Sequence, residues 1–303
     1  MSKRFALLLV LLVAGCGGGG DDKEATPTGP FEYDREAALN FQDAGRVNRN
    51  YPIEIRQVSF ASGGGRVTGL LARPPGEGPF PGIVLMHGAG TNSTGMVLPA
   101  TWLAGRGAVA LAIDSPFART PRDLGRGIEA LRAESDLIAQ NVIELRRAVD
   151  VLQDQSTVDD DRIGFVGYSA GARTGAILAG NEDRVDAYVL MSAGSPRVAQ
   201  FAQAAPAGDR AEVEEILNVV DPLRHIRNAA PAELLFQNGR RDQIVPRAAL
   251  LGLYRAAPEP KEIRWYPSGH EPTARVYRDM LAWLTQALGL RDEPIVAGAR
   301  IGP

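Results

Sequence analysis

The chain has little of the chemistry from which metal and redox proteins are built. Its 303 residues include one cysteine, Cys16, and three histidines, His87, His225 and His270. A single thiol closes no internal disulfide, builds no four-thiolate zinc site and holds no iron–sulfur cluster. No metal or other cofactor is expected, and any imidazole chemistry is confined to three positions. Basic charge is also in short supply: 33 Lys and Arg face 36 Asp and Glu, for a formal net charge of -3. No basic field therefore points to a nucleic-acid partner. With 45% hydrophobic and 23% charged residues, the composition is that of a globular chain, which excludes a disordered, collagenous or all-membrane protein.

The one cysteine has a particular setting. Lys3 and Arg4 precede an uninterrupted apolar run, Phe5 to Val13, and Ala14, Gly15 and Cys16 follow directly. This is the layout of a signal peptide. A transmembrane helix needs about 20 apolar residues, and this run stops short of that at Gly17 to Gly20 and Asp21-Asp22. Val13-Ala14-Gly15-Cys16 resembles the bacterial lipobox, in which cleavage precedes the cysteine and the thiol is lipidated. That resemblance implies residues 1–15 as signal peptide and Cys16 as the point of membrane attachment, in an exported, lipid-anchored envelope protein. A secretory signal with an incidental cysteine is the alternative. Residues 16–30, rich in Gly, Asp, Thr and Pro, suit a flexible tether. With Cys16 acylated, the rest of the chain holds no thiol, so a cysteine nucleophile is excluded.

From Tyr51 onward, short apolar runs alternate with longer helical patterns, the signature of an α/β domain with a mainly parallel sheet. Ile53 to Phe60 and Arg66 to Ala72 flank Ser62-Gly63-Gly64-Gly65 and predict an antiparallel hairpin at the sheet edge. Further strands are expected at Gly82 to Met86, Ala108 to Ile113, Ile163 to Val166, Ala187 to Met191, Glu233 to Gln237 and Glu262 to Tyr266. Apolar residues from Ile128 to Leu152 recur at mostly three- and four-residue steps, predicting a long amphipathic helix. Residues 31–290 are expected to form one domain, with 196–230 as a small helical insertion over the cleft and 291–303 as a loose tail.

Gly167-Tyr168-Ser169-Ala170-Gly171 matches G-x-S-x-G. The bare pattern is short and has a real false-positive risk, so its context decides. The serine of such an elbow sits on a strained turn between a strand and a helix, and its glycines make that turn sterically possible. Here the strand-like Arg162 to Val166 precedes the motif and the helix-like Ala172 to Leu178 follows it. A nucleotide-binding turn is the alternative, but neither G-x-G-x-x-G spacing nor a Gly-Lys-Ser/Thr step is present.

A serine hydroxyl needs a base to take its proton, and the base needs a carboxylate to fix its tautomer. On such an elbow the partners follow in the order Ser, Asp/Glu, His. His87 precedes the serine and is read as a loop-holding residue. His225 has no acid at the strand end before it and is read as a polar helix-face residue. His270, in Tyr266-Pro267-Ser268-Gly269-His270, remains as the base. Between it and the serine, Asp242 follows the strand ending near Asn238-Gly239 and is the expected acid, with a surface pair to Arg240 or Arg241 as its alternative. Oxyanion donors are expected from the backbone N–H of Ala170 and from the loop His87-Gly88-Ala89-Gly90, Ala89 ahead of Gly90. Thr91, Asn92, Trp102, Phe117, Met191 and Ile244 are candidate walls, and Arg173 is read as a helix salt-bridge partner or a contact for an anionic substrate.

On these residues the chain resembles the α/β-hydrolase superfamily, and within it the dienelactone-hydrolase-like and acetyl-esterase-like branch. The motifs are Pro81 to Gly90, Gly167 to Gly171, Asn238 to Pro246 and Ser268 to His270, within a similarity covering about residues 51–289. The resemblance implies an eight-stranded, mostly parallel sheet with helices on both faces and a cofactor-free acyl-enzyme mechanism. Dienelactone hydrolases proper use a cysteine nucleophile, so Ser169 argues for ester hydrolysis and against that narrow activity, and the small 196–230 insertion favours a small-molecule ester over a peptide as substrate. A serine peptidase or thioesterase would use the same residues, and a non-catalytic envelope binding lipoprotein is the alternative from another class.

Overall fold

The computed structural model of the chain describes residues 29–47, 50–63, 65–119, 124–195 and 198–302. The expected signal peptide, Cys16 and all but the last two residues of the expected tether lie outside them. The described residues form a single sheet of β1 (Gln42–Arg46), β2 (Glu54–Ser62), β3 (Gly65–Arg73), β4 (Phe80–Met86), β5 (Val109–Ile113), β6 (Val158–Tyr168), β7 (Ala187–Met191), β8 (Glu233–Gly239) and β9 (Lys261–Tyr266). Their order is β1-β2-β3-β5-β4-β6-β7-β8-β9. The first three strands pair antiparallel, and everything from β5 across to β9 is parallel.

Nine strands stand where eight are expected. The one that sequence reading passes over is β1, Gln-Asp-Ala-Gly-Arg, which has no apolar alternation. It is a strand because it pairs with β2, with its register shifted between Asp43 and Gly45. It also takes the edge position assigned to the β2–β3 hairpin. A bulge and charged side chains are common ways of blunting an edge strand, and Asp43 and Arg46 supply the charge here.

The helices are α1 (Val97–Gly105), α2 (Pro116–Arg119), α3 (Gly127–Gln153), α4 (Ala170–Leu178), α5 (Val198–Ala204), α6 (Arg210–Val219), α7 (Pro222–His225), α8 (Arg247–Ala256) and α9 (Ala274–Leu288). They cover both faces of the sheet, so β4, β5 and β7 read as continuous apolar runs. In β5, Val109, Leu111 and Ile113 face the core shared with α3 and α4. Ala110 and Ala112 face the core shared with α1 and α9. The small side chains let α1 lie close to the sheet.

The loose tail expected over 291–303 is instead docked as far as the described residues extend. The Arg291 N–H donates to Arg106 O at 3.0 Å, and the Ile295 N–H donates to Gly105 O at 2.7 Å. Ala299 is buried beside Gly105, so close that a Cβ on the glycine would lie 2.4 Å from the alanine Cβ. A small residue on each partner makes the contact, a pattern that hydrophobic periodicity does not reveal. Gly105→Val should therefore lower stability by about 1–3 kcal/mol through overpacking. A urea midpoint unchanged from the parent would show that the C-terminal segment yields freely.

Candidate active site

In this sheet the chain passes from β4 outward to β5 and then returns across β4 to β6. The strand ends flanking such a reversal leave a crevice at their carboxyl edge. Two loops meet there, His87 to Gly90 after β4 and the turn at Ser169 after β6.

Ser169 has φ 53 and ψ -116, left-handed backbone that costs about 1–3 kcal/mol in a non-glycine residue. Close packing holds it in place. The Ser169 N–H donates to Met191 O at 2.8 Å, continuing the β6–β7 ladder past the end of β6. A Cβ on Gly171 would lie 2.4 Å from Met86 O and 2.5 Å from His87 O, and one on Gly167 would lie 2.8 Å from Ala172 N. Glycine at both positions lets α4 start directly against the end of β4.

The structure brings Ser169, His270 and Asp242 together. His270 Nε2 is 2.8 Å from Ser169 Oγ, and His270 Nδ1 is 2.8 Å from Asp242 Oδ2. The other carboxylate oxygen, Oδ1, accepts the N–H groups of Ile244 at 2.8 Å and Val245 at 2.9 Å. Asp242 thus fixes its own turn with one oxygen and faces the imidazole with the other. Its side chain is 1% exposed and that of His270 14%, so water competes little for either bond. The Arg240 or Arg241 surface pair considered for Asp242 does not form.

The loops carrying these two residues are zipped together. The Arg240 N–H donates to Tyr266 O at 2.8 Å and the Arg241 N–H to Ser268 O at 3.0 Å. Gly239 is the point of closest approach, where a Cβ would lie 1.9 Å from Gly269 O. Ser192 Oγ at the end of β7 donates to His270 O at 2.7 Å. The Tyr168 ring packs beside the imidazole, with centroids 5.4 Å apart. Neither contact is foreseen from the sequence. Tyr168 occupies a variable position of the motif, and a serine at the end of β7 carries no pattern that ties it to a distant loop.

The other two histidines are engaged elsewhere. His87 is buried; its Nδ1–H donates to Gly88 O at 2.7 Å, and its Nε2 accepts the Ser115 N–H at 3.1 Å. Burial pushes its pKa down and keeps it neutral. His225 Nδ1 accepts from Asn181 at 3.1 Å and its Nε2–H donates to Val219 O at 2.9 Å. Ala170 is exposed at the first position of α4. Ala89 and Gly90 are exposed in the β4 loop, and Gly90 has φ 80. That loop runs beside the serine, for a Cβ on Gly88 would lie 3.5 Å from Ser169 Cβ. Among the described residues, no cluster of three or more His, Cys, Asp or Glu could hold a metal ion.

An open cleft of about 1080 Å³ adjoins Ser169 and Ala170. Its walls are the β7 end at Ser192 to Ser195, the α8 face and, from the 196–230 segment, Gln200, Leu223 and Arg227. Of the candidate wall residues only Ile244 lines it, 71% exposed at its lip. Met191 is fully buried, Asn92 caps a short 3₁₀ turn and Trp102 packs on Tyr277.

The sheet is that of the α/β-hydrolase fold, which solved structures share. An acetyl xylan esterase from Paenibacillus sp. R4 superimposes with a TM-score of 0.72 at 21% identity, covering 82% of this chain and 89% of that one. Acetyl xylan esterase 1 from Thermoanaerobacterium sp. JW/SL YS485 gives 0.67 at 22% identity, over 86% and 91%. Within that class the chain belongs to the dienelactone hydrolase family, whose pattern matches residues 67–279. Esterase FrsA of Shigella boydii serotype 18 is 31% identical over 131 residues, 42% of this chain and 29% of its own length. The uncharacterized peptidase YtmA of Bacillus subtilis is 30% identical over 129 residues, 42% of this chain and 46% of its own. The matched stretch is thus less than half the length of either relative.

The contact at Gly171 yields a prediction. Gly171→Ala sets a methyl group against two backbone carbonyls, which cannot move independently of β4. The expected loss is about 2 kcal/mol or more, read as a lower urea midpoint; a parent-like midpoint would show that α4 can shift away from β4.

Proposed function

We propose that the protein is a serine hydrolase of carboxylic esters that works through an acyl-enzyme. The observation that carries this reading is the continuous chain from Asp242 through His270 to Ser169, two bonds of 2.8 Å each. His270 Nε2 takes the Ser169 proton as Oγ attacks the ester carbonyl carbon. Oδ2 of Asp242 accepts the Nδ1–H, so the imidazole keeps the tautomer that leaves Nε2 free, and its cation is stabilised as it forms. The tetrahedral oxyanion is held by the N–H of Ala170 and by one from the β4 loop, Ala89 or Gly90, each donor worth about 100- to 1000-fold in rate. The imidazolium then protonates the leaving alcohol. Water attacks the acyl-serine with the same base, and the acid departs.

Family membership and the esterase relative support this reading, and the peptidase relative keeps amide hydrolysis as the second one. A panel of nitrophenyl esters of increasing chain length beside a peptide amide and a thioester separates the two. Esters should be turned over fastest, and a faster amide would move the assignment to a peptidase. Ser169→Ala should abolish labelling by an organophosphonate; labelling that persists would place the nucleophile elsewhere, and a parent that is never labelled would favour a binding protein that keeps the fold. Asp242→Asn retains an oxygen for the Ile244 and Val245 N–H groups but turns an amide toward Nδ1. It should lower kcat by about 10³- to 10⁴-fold with a near-parental denaturation midpoint, and an unchanged kcat would remove Asp242 from the mechanism.

We also propose that the chain is exported and lipid-anchored through Cys16, on the strength of the charged, apolar and cysteine-terminated layout of residues 1–16. Cys16→Ser should lose labelled palmitate and leave the membrane fraction. Retention of the label would place the lipid elsewhere.

A further inference from the structure

The 196–230 segment leaves a space against α3. This second chamber, of about 110 Å³, has a mostly apolar lining: Leu131 and Ile138 from α3, Val198 and Phe201 from α5, Leu217 from α6 and Val220 just beyond it. Phe201 lines it while remaining 57% exposed. Arg173 and Ser195 line both this chamber and the cleft that reaches Ser169 and Ala170, so the two spaces meet at these residues. Arg173 is on α4, one turn beyond the serine.

A gap between apolar side chains forfeits the contacts that would fill it. This one is kept open by the way the insertion is fastened to α3. Ser135 Oγ donates to Ile216 O at 3.3 Å, and Arg132 pairs with Glu212 at 2.8 Å. These bonds set the spacing of α6 from α3 and leave the chamber as a recess with fixed walls. Glu134 and Asp221 line it beside Arg173, so an anionic group gains little there. An uncharged apolar group is the occupant that restores the missing contacts.

The base sorts the two parts of an ester. The leaving oxygen has to lie at His270 Nε2 to take its proton. His270 reaches the serine beside Tyr168, whose ring packs against the core shared with α1 and α9. The chamber lies over the opposite core, shared with α3 and α4, of which Ile138 and Val220 are part. The acyl part is thus the part directed toward the chamber. We propose that the chamber is an acyl subsite, which takes the compact apolar end-group of a medium-length acyl chain. This rests on Ser169 being the nucleophile. Four residues of helix rise about 6 Å, so the chain runs for roughly four to six carbons before its end-group enters. An apolar cavity of about 150 Å³ holds a benzene ring, so a single phenyl ring is the largest end-group for this chamber, with the exposed Phe201 ring as its outer cover.

Nitrophenyl 5-phenylpentanoate and nitrophenyl pentanoate share leaving group and chain length and differ only in the ring. The parent should favour the phenyl ester in kcat/KM by about tenfold or more, the scale of burying an aromatic side chain. Leu217→Trp fills the chamber and should remove most of that preference, and Phe201→Ala, at an exposed position, should lower it. Toluene should inhibit hydrolysis of the phenyl ester competitively without competing against nitrophenyl acetate, whose acyl group is too short to reach the chamber. That measurement does not depend on any variant folding. No preference in the parent, an unaltered preference in either variant, or toluene that competes equally against both esters would overturn the proposal while leaving ester hydrolysis standing. A parent that sediments as a dimer and becomes monomeric on Phe201→Ala would overturn it too, by giving the chamber to a second copy of the chain. If neither ester is turned over and organophosphonate fails to label Ser169, the hydrolase reading and this one fall together.

Discussion

The close approach of α4 to the end of β4 is the contact on which the site depends. Gly171 has no side chain, so the first turn of α4 lies against Met86 O and His87 O. That contact fixes where β6 must end and forces Ser169 into positive φ. The strain is sustained because the surroundings leave no alternative: the Ser169 N–H is committed to Met191 O, its carbonyl accepts the Arg173 N–H at 2.9 Å, and both flanking glycines are hemmed in by backbone. The hydroxyl is presented above the sheet, and the β4 loop is left beside it. One steric constraint thus places the nucleophile and the backbone that would face an oxyanion.

The other half of the site follows the same logic from later strand ends. Gly239 lets the loop after β9 rest on the loop after β8, and their backbones bond directly. His270 and Asp242 are therefore positioned relative to each other before any side chain is considered. The division of labour within Asp242 follows, with one oxygen holding its turn and the other the imidazole. Because Ser192 ties His270 O to the end of β7, three successive strand ends hold the histidine, and rigid strands hold a geometry better than free loops do.

Buried parallel strands announce themselves in sequence because both faces are covered, so β4, β5 and β7 were readable as apolar runs. The long helix α3 was readable from its spacing. Ser169, Asp242 and His270 could be nominated because chain order and strand-end position restrict the choice among three histidines and few acids, and the structure sets the three in hydrogen-bond contact. What escaped has a common cause. β1 exists only through its pairing with β2, the docking of residues 291–300 rests on Gly105 and Ala299 being small, and the contacts of His270 with Ser192 and Tyr168 join separate strand ends. None of these leaves a periodic mark in the sequence. They are relations between segments far apart in the chain.

One such relation decides how the domain is held. Tyr33 Oη donates to Asp150 Oδ1 at 3.0 Å, and Arg146 Nη1 donates to Phe31 O at 2.8 Å. Arg184 bridges Asp150 and Glu182, each at 2.6 Å, and donates to Tyr33 Oη at 3.1 Å. Burial and the neighbouring Asp150 push the Tyr33 pKa up to about 12, so its hydroxyl stays protonated and can donate. This cluster fastens the first described residues to the last turns of α3. In a parallel α/β unit the helix runs back along the sheet, so the end of α3 lies level with the starts of the strands. Ser169, at the carboxyl end of β6, is at the opposite pole. The first described residues are therefore fastened at the pole remote from the cleft, and the carboxyl ends of the strands are left open around Ser169.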